Sequence, residues 1–234
     1  MHGPALSWSC LECRYLPMKP KLLFFDVGET LVSEARMWRA WAEWLGVPDF
    51  TFFAALGSVI GARLHHEAVF PLVRPGIDLE AEAAARRAAG HTTGFLEEDL
   101  YPDTVPALRW AVEQGYRLGF AGNHSERTEA FVRGLGIEEA IVGSSGRWGV
   151  AKPDPRFFER IIAEAGLEPG DIVYIGDRID NDVLPALRMG LRAVFVERGP
   201  WGVVQAGWPE ATQVRARIRT LSELPQVLSG LSPT

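Results

Sequence analysis

Short, nearly unbroken apolar runs recur along the chain, at 21–25 (Lys21-Leu22-Leu23-Phe24-Phe25), 116–121, 140–142, 172–175 and 193–196. Continuous rather than alternating hydrophobicity predicts strands buried on both faces. Between the runs lie amphipathic stretches at 104–114, 125–134, 155–165 and 181–189, each closed by a glycine within a residue or two. Strands alternating with helices predict an α/β fold with a parallel sheet covered on both faces. Right-handed crossovers then bring every loop that follows a strand to one edge of the sheet, where doubly wound folds bind ligands.

Residues 32–100 break this alternation and predict an inserted helical subdomain. Ser33 is placed to cap a helix that carries Trp38, Trp41, Trp44 and Leu45 on one face, and 51–64 and 78–89 supply further helical patterns. Pro71, Pro75 and Gly76 punctuate the segment. Three-residue spacing of large rings predicts a packed subdomain core rather than an aromatic pocket. His65-His66-Glu67 reads as a solvated face rather than a metal site, because adjacent helical residues point in different directions.

The chain has 234 residues, 47% hydrophobic and 23% charged, enough for one core plus a subdomain. A formal charge of −6 argues against nucleic acid as a partner, because phosphate neutralisation needs a basic face. No apolar run approaches the ~20 residues that span a bilayer, and no secretory signal pattern opens the chain, so the expectation is no membrane partner and a cytoplasmic location. Cys10 and Cys13 have no second Cys or His pair at ligand spacing, which argues against zinc. Residues 1–17 read as an irregular extension or a misassigned start, so truncation to Met18 is expected to leave activity and stability unchanged.

The chemistry gathers at the strand exits. Asp26 ends the first strand and is followed by Val27-Gly28-Glu29-Thr30-Leu31, an arrangement that holds a nucleophile rigidly beside backbone N–H groups. After the strand at 116–121 comes Gly122-Asn123-His124-Ser125, a polar turn that presents donors to an anion. Lys152 stands just before a helix start marked by Pro153 and Pro155, able to hold a phosphoryl oxygen or to orient Asp26. Gly176-Asp177-Arg178-Ile179-Asp180-Asn181-Asp182 follows the strand at 172–175, and its carboxylates repel one another unless a cation compensates. Mg2+ suits this set, with ligands from Asp26, Asp177 and the Gly28 carbonyl.

In order, these segments resemble the haloacid dehalogenase-like hydrolase superfamily: Asp26-Val27-Gly28-Glu29-Thr30, Ala121-Gly122-Asn123, Lys152-Pro153, and Gly176-Asp177 through Asn181-Asp182. The resemblance spans Leu22 to about Val196 and implies a Rossmann-like core at 18–31 and 101–234, with an α-helical cap at 32–100. It implies Mg2+-dependent hydrolysis of a small phosphorylated substrate through an aspartyl-phosphate on Asp26. Lys152 offsets charge, and Thr30, Gly122 and Asn123 stand at phosphate-binding positions. The implied metal set is Asp26, Gly28 and Asp177, with Asp182 acting through water or behind the ligands, and a smaller part for Asp180.

Two positions depart from the family pattern. Phosphatases of the superfamily usually carry a second aspartate where Gly28 stands, a general acid that typically contributes ~10² to 10⁴-fold. Glu29 is expected to point elsewhere, into solvent. Gly122 replaces the usual Ser or Thr. The alternatives are dehalogenation, which requires no leaving-group proton but gains nothing from the acidic fourth motif, and a phosphate-ligand binding or regulatory protein that has lost efficient chemistry. The reading predicts that Gly28→Asp raises turnover of alkyl phosphates.

Overall fold

A computed structural model of the chain describes residues 19–91 and 94–231; residues 1–17, with Cys10 and Cys13, lie outside the described residues. Six parallel strands form one sheet: β1 (Leu22–Phe25), β2 (Arg117–Gly122), β3 (Ile141–Ser144), β4 (Ile172–Gly176), β5 (Arg192–Val196) and β6 (Arg217–Ile218), in the order β3-β2-β1-β4-β5-β6. The continuous apolar runs have the reason expected of them. Leu23, Phe25, Val173 and Ile175 enter one core, while Leu22, Phe24, Ile172 and Tyr174 enter another on the opposite face. This is the expected Rossmann-like α/β layering.

The helices in chain order are α1 (Ala35–Leu45), α2 (Asp49–Gly61), α3 (Val69–Val73), α4 (Leu79–Ala88), α5 (Thr104–Glu113), α6 (Glu126–Arg133), α7 (Ser145–Trp148), α8 (Pro155–Ala165), α9 (Leu184–Arg188), α10 (Gly199–Gln205) and α11 (Leu224–Gly230). Helices α5, α6 and α11 cover one face of the sheet, and α8 and α9 the other. Local chemistry sets their ends. In α8 the Asp154 carboxylate accepts from Arg156 N at 2.9 Å, Pro155 occupies the first turn, and Gly166 closes the helix at φ 61°.

Boundaries differ where tertiary packing outweighs local pattern. Gly143 and Ser144, read as loop, extend β3, because the missing side chain of Gly143 admits the Trp148 ring: a Cβ there would lie 2.0 Å from it. The stretch 181–189 begins instead as a five-residue π-type turn, Ile179–Val183, that leads into α9. The two-residue β6 and the short α10 and α11 carry no periodicity long enough to read.

Helices α1–α4 fall between β1 and α5. The chain's outward and return crossings run side by side, with Ser33 N donating to Asp99 O at 2.7 Å and Tyr101 N to Leu31 O at 3.0 Å. Ser33 Oγ accepts from Ala35 N at 3.2 Å, but the cap position of α1 is held by Glu34, one residue later than expected, and its side chain makes no capping bond. Trp38, Ala42, Phe52, Leu56, Val69 and Phe70 build a separate apolar cluster, which Trp201 of α10 completes from the core side. No single helix among the described residues is long and apolar enough to cross a membrane.

Candidate active site

Chain order places β2 and β3 to one side of β1 and β4, β5 and β6 to the other, so the switch in strand order falls at the centre of the sheet. Phe25 registers with both Phe120 and Ile175, and Asp26 N donates to Ile175 O at 2.8 Å. Asp26 is thereby fixed between the exits of β2 and β4, beside Gly122 and Asp177. The sheet edge thus brings the predicted residues together.

Lys152 organises them. The residue is 4% exposed, and its ammonium donates to Asp26 Oδ1 and to Asp182 Oδ1, each at 2.6 Å. Burial alone would lower the lysine pKa, but Asp182 and then Asp26 more than offset it and hold it well above the ordinary value. Asp182 is pushed up to about 6, by burial first, with Lys152 opposing and Asp26 adding to the rise. The second oxygen of Asp182 accepts from Arg178 N at 3.0 Å, so this buried carboxylate positions Lys152 from behind. Gly176 permits that approach, since a Cβ there would lie 2.5 Å from Asp182 Oδ2.

Asp177 is left unbalanced. It is 2% exposed, and its Oδ2 has no hydrogen-bond partner among the described residues. Burial, then Asp182 and Asp26, hold its pKa well above the carboxylate range. Ligand oxygens of Asp26, Asp177 and Asp182 lie within 4.8 Å of one another. Lys152 serves two of the three buried carboxylates, and the orphaned oxygen of the third points to the missing charge. The donor set suits a hard divalent cation.

The remaining expected residues divide. Asn123 spends its amide on Lys152: Nδ2 donates to Lys152 O and Oδ1 accepts from Lys152 N, both at 2.8 Å. Thr30 is fully buried, its hydroxyl has no hydrogen-bond partner among the described residues, and it does not line the cavity. At Gly122 a Cβ would lie 2.6 Å from Asp26 Oδ1 and 2.9 Å from His124 Cδ2, so the place of the usual Ser or Thr is held by Asp26 and the His124 ring. Asp180, exposed, is paired with Arg178 and accepts from Gln205.

Glu29 corrects its expectation. It is 3% exposed rather than solvated, with Oε1 accepting from Glu34 N at 2.7 Å and Oε2 from the Tyr101 hydroxyl. Burial raises its pKa. With both oxygens engaged in tying α1 to the return crossing, it is not a free acid. Its φ of 50° turns the side chain inward, which the Gly28-Glu29 turn does not announce in sequence.

Above Asp26 a cavity of about 570 Å³ opens between core and cap. Trp38, Trp41 and Phe70 form part of its wall, so the tryptophan stripe is both cap core and cavity lining. Among the arginines of residues 32–100, Arg36 pairs with Asp99, Arg39 with Asp49 and Arg63 with Glu210. Arg86, which sequence did not single out, faces the cavity, 4.0 Å over the Trp41 ring. His66 likewise leaves the expected solvated face: it lines the cavity against Trp38 and Trp201, and the exposed His65 and Glu67 line it as well, so the three do not point apart as expected but offer ligand atoms within 4.8 Å of one another. Glu34 also lines the cavity, and burial, then Glu29, raise its pKa to about 7.

Comparison with known proteins gives the family. Over 135 residues the chain is 36% identical to glyceraldehyde 3-phosphate phosphatase of Methanopyrus kandleri, 56% of this chain and 58% of that protein, so the match spans less than two thirds of that relative. It is 30% identical over 191 residues to phosphoserine phosphatase of Thermus thermophilus, covering 74% and 73% of the two chains. The fold matches the crystal structure of a predicted phosphoglycolate phosphatase from Haemophilus somnus with a TM-score of 0.65 at 16% identity, over 90% of this chain and 98% of that one. The family model of haloacid dehalogenase-like hydrolases matches residues 20–190, from the start of β1 through the carboxylate turn after β4, and the chain belongs to that family.

Proposed function

We propose that the protein is a Mg2+-dependent phosphatase of a small phosphorylated metabolite, with Asp26 as the nucleophile that accepts the phosphoryl group. The observation that carries this reading is the Asp177 oxygen left without a partner among the described residues, beside two buried carboxylates that share one lysine. Asp26, Asp177 and the Gly28 carbonyl would hold Mg2+, with Asp182 behind them. When bound, the ion supplies positive charge that lets an anionic nucleophile approach an anionic phosphoryl group.

The chain's own residues supply the rest. Lys152 fixes one Asp26 oxygen, which leaves the other to attack phosphorus in line with the leaving oxygen. Asn123 locks the Lys152 backbone. The aromatic wall and Arg86 support an ester whose non-phosphate part is small enough for about 570 Å³. Dehalogenation is disfavoured, since it needs no cation and Asp177 would then oppose both nucleophile and haloacid.

A phosphate-ester panel assayed with Mg2+ and with EDTA tests the reading. Turnover should require the ion and vanish in Asp26→Asn; activity that persists in either condition would sink it. Halide release from a 2-haloacid without metal would support dehalogenation instead.

A further inference from the structure

Gly28 removes a side chain, but the space is filled. A Cβ built at Gly28 would lie 2.4 Å from Glu34 Oε1 and 3.2 Å from Glu34 Cδ. A carboxyl group therefore stands where a side chain at position 28 would begin, delivered from six residues further along the chain. The delivery is built by the fold. A parallel bridge between Gly28 and Val32 closes a tight loop of the backbone, Glu34 N is held by Glu29 Oε1 at 2.7 Å, and α1 then starts at Ala35. One turn into α1, Trp38 Nε1 donates to Glu34 Oε2 at 3.0 Å and fixes the carboxyl plane. Oε1 has no hydrogen-bond partner among the described residues and opens on the cavity that holds Asp26.

We propose that Glu34 is the acid–base group of phosphoryl transfer at Asp26, entering from the cap side the place that residue 28 leaves free. This rests on the reading of Asp26 as phosphoryl acceptor. In the first half-reaction an Asp26 oxygen forms a bond to phosphorus as the ester P–O bond breaks, and the leaving oxygen takes the Glu34 proton. In the second, water attacks the phosphorus, its proton goes to Glu34, and the bond to Asp26 breaks. Free phosphate leaves, with Asp26 ionised and Glu34 protonated as at the start. Glu29 cannot do this with both oxygens occupied, and Asp180 is turned to Arg178 and Gln205.

The test compares leaving groups. Glu34→Gln keeps an acceptor for Trp38 but carries no acid, so kcat on an alkyl phosphate should fall by ~10² to 10⁴-fold. With 4-nitrophenyl phosphate, whose leaving group needs no proton, the variant should release a burst of nitrophenol stoichiometric with enzyme and accumulate acid-stable phosphoprotein, because dephosphorylation of Asp26 lacks its base. Gly28→Asp alone would push the Glu34 carboxyl aside, so the informative relocation is Gly28→Asp combined with Glu34→Ala, which should recover alkyl-phosphate turnover. Wild-type turnover and leaving-group dependence in Glu34→Gln, with Asp26→Asn inactive, would overturn the role of Glu34 alone. Loss of alkyl turnover with neither burst nor recovery by relocation would assign Glu34 to structure and also overturn it. Activity in Asp26→Asn would instead refute the nucleophile reading beneath it.

Discussion

The side-chain amide of Asn123 grips both backbone polar groups of Lys152, N and O, at 2.8 Å each. A motif residue at a phosphate-binding position thus acts on the lysine rather than presenting itself to substrate. Asn123→Ala would leave two backbone groups of a buried residue without their partner, a loss of ~1–3 kcal/mol for each one that stays dry. Urea denaturation should show destabilisation of about that size, and Asn123→Asp should not repair it, because a carboxylate cannot donate to Lys152 O. A variant as stable as wild type would count against this reading.

Lys152 serves two carboxylates at once, so its removal strands both. Lys152→Met should cost ~3–5 kcal/mol in EDTA, the usual range when a buried ion pair loses one partner. Mg2+ should return part of that loss. Equal destabilisation with and without the ion would mean that the ion does not share this charge.

Asp177 is strained in the absence of a cation, and the sign of its mutation follows. Asp177→Asn removes a buried charge that Asp182 and Asp26 repel, so in EDTA the variant should melt above wild type. Mg2+ at ~100-fold over its dissociation constant should stabilise wild type by ~2.7 kcal/mol, or several degrees at ~2–4 °C per kcal/mol. The variant should show no such shift. Differential scanning calorimetry on both proteins decides it, and a full Mg2+ shift in Asp177→Asn would remove that residue from the ligand set.

His66 gives a pH dependence away from the carboxylates. Burial first, then His65 and Arg178, lower its pKa to about 4; its other neighbours are the Trp38 and Trp201 rings, and Glu67 faces His65. The unfolded chain takes up this proton below pH ~6.5 while the folded protein refuses it until about 4, so stability is lost as pH falls through that window. Solvent screening of a partly open ring limits the effect to ~1–2 kcal/mol. Urea midpoints at pH 7 and pH 5 should therefore fall less in His66→Phe than in wild type; parallel falls would deny His66 the role.

How much of this was written in the chain differs from feature to feature. Phe24 and Phe25 face opposite cores, so their run is continuous and the central strand is plain in sequence. Asp26, Lys152 and Asp177 stand at strand or helix boundaries marked by glycine and proline, so topology alone brings them together. Glu34 was not legible, because its approach to Gly28 depends on a loop closed by a parallel bridge at Gly28–Val32 that no helical or strand period encodes. Arg86 and His66 were hidden for a related reason. Periodicity tells which residues share a face, but it does not tell which face meets another part of the chain.

Trp201 belongs by sequence to α10, yet it sits within the cap's aromatic cluster, 6.1 Å from the Trp38 ring centroid. The inserted segment is therefore not a transplantable module. Cut free at its two crossings, it would carry an opening where an indole belongs, and the remaining core would display that indole to water. Trp201→Ala reproduces the defect in the intact chain, at ~3–5 kcal/mol. Selection on the roof of this site and selection on α10 act on one shared piece of interior, so a cap borrowed from a relative must bring its own partner for that helix.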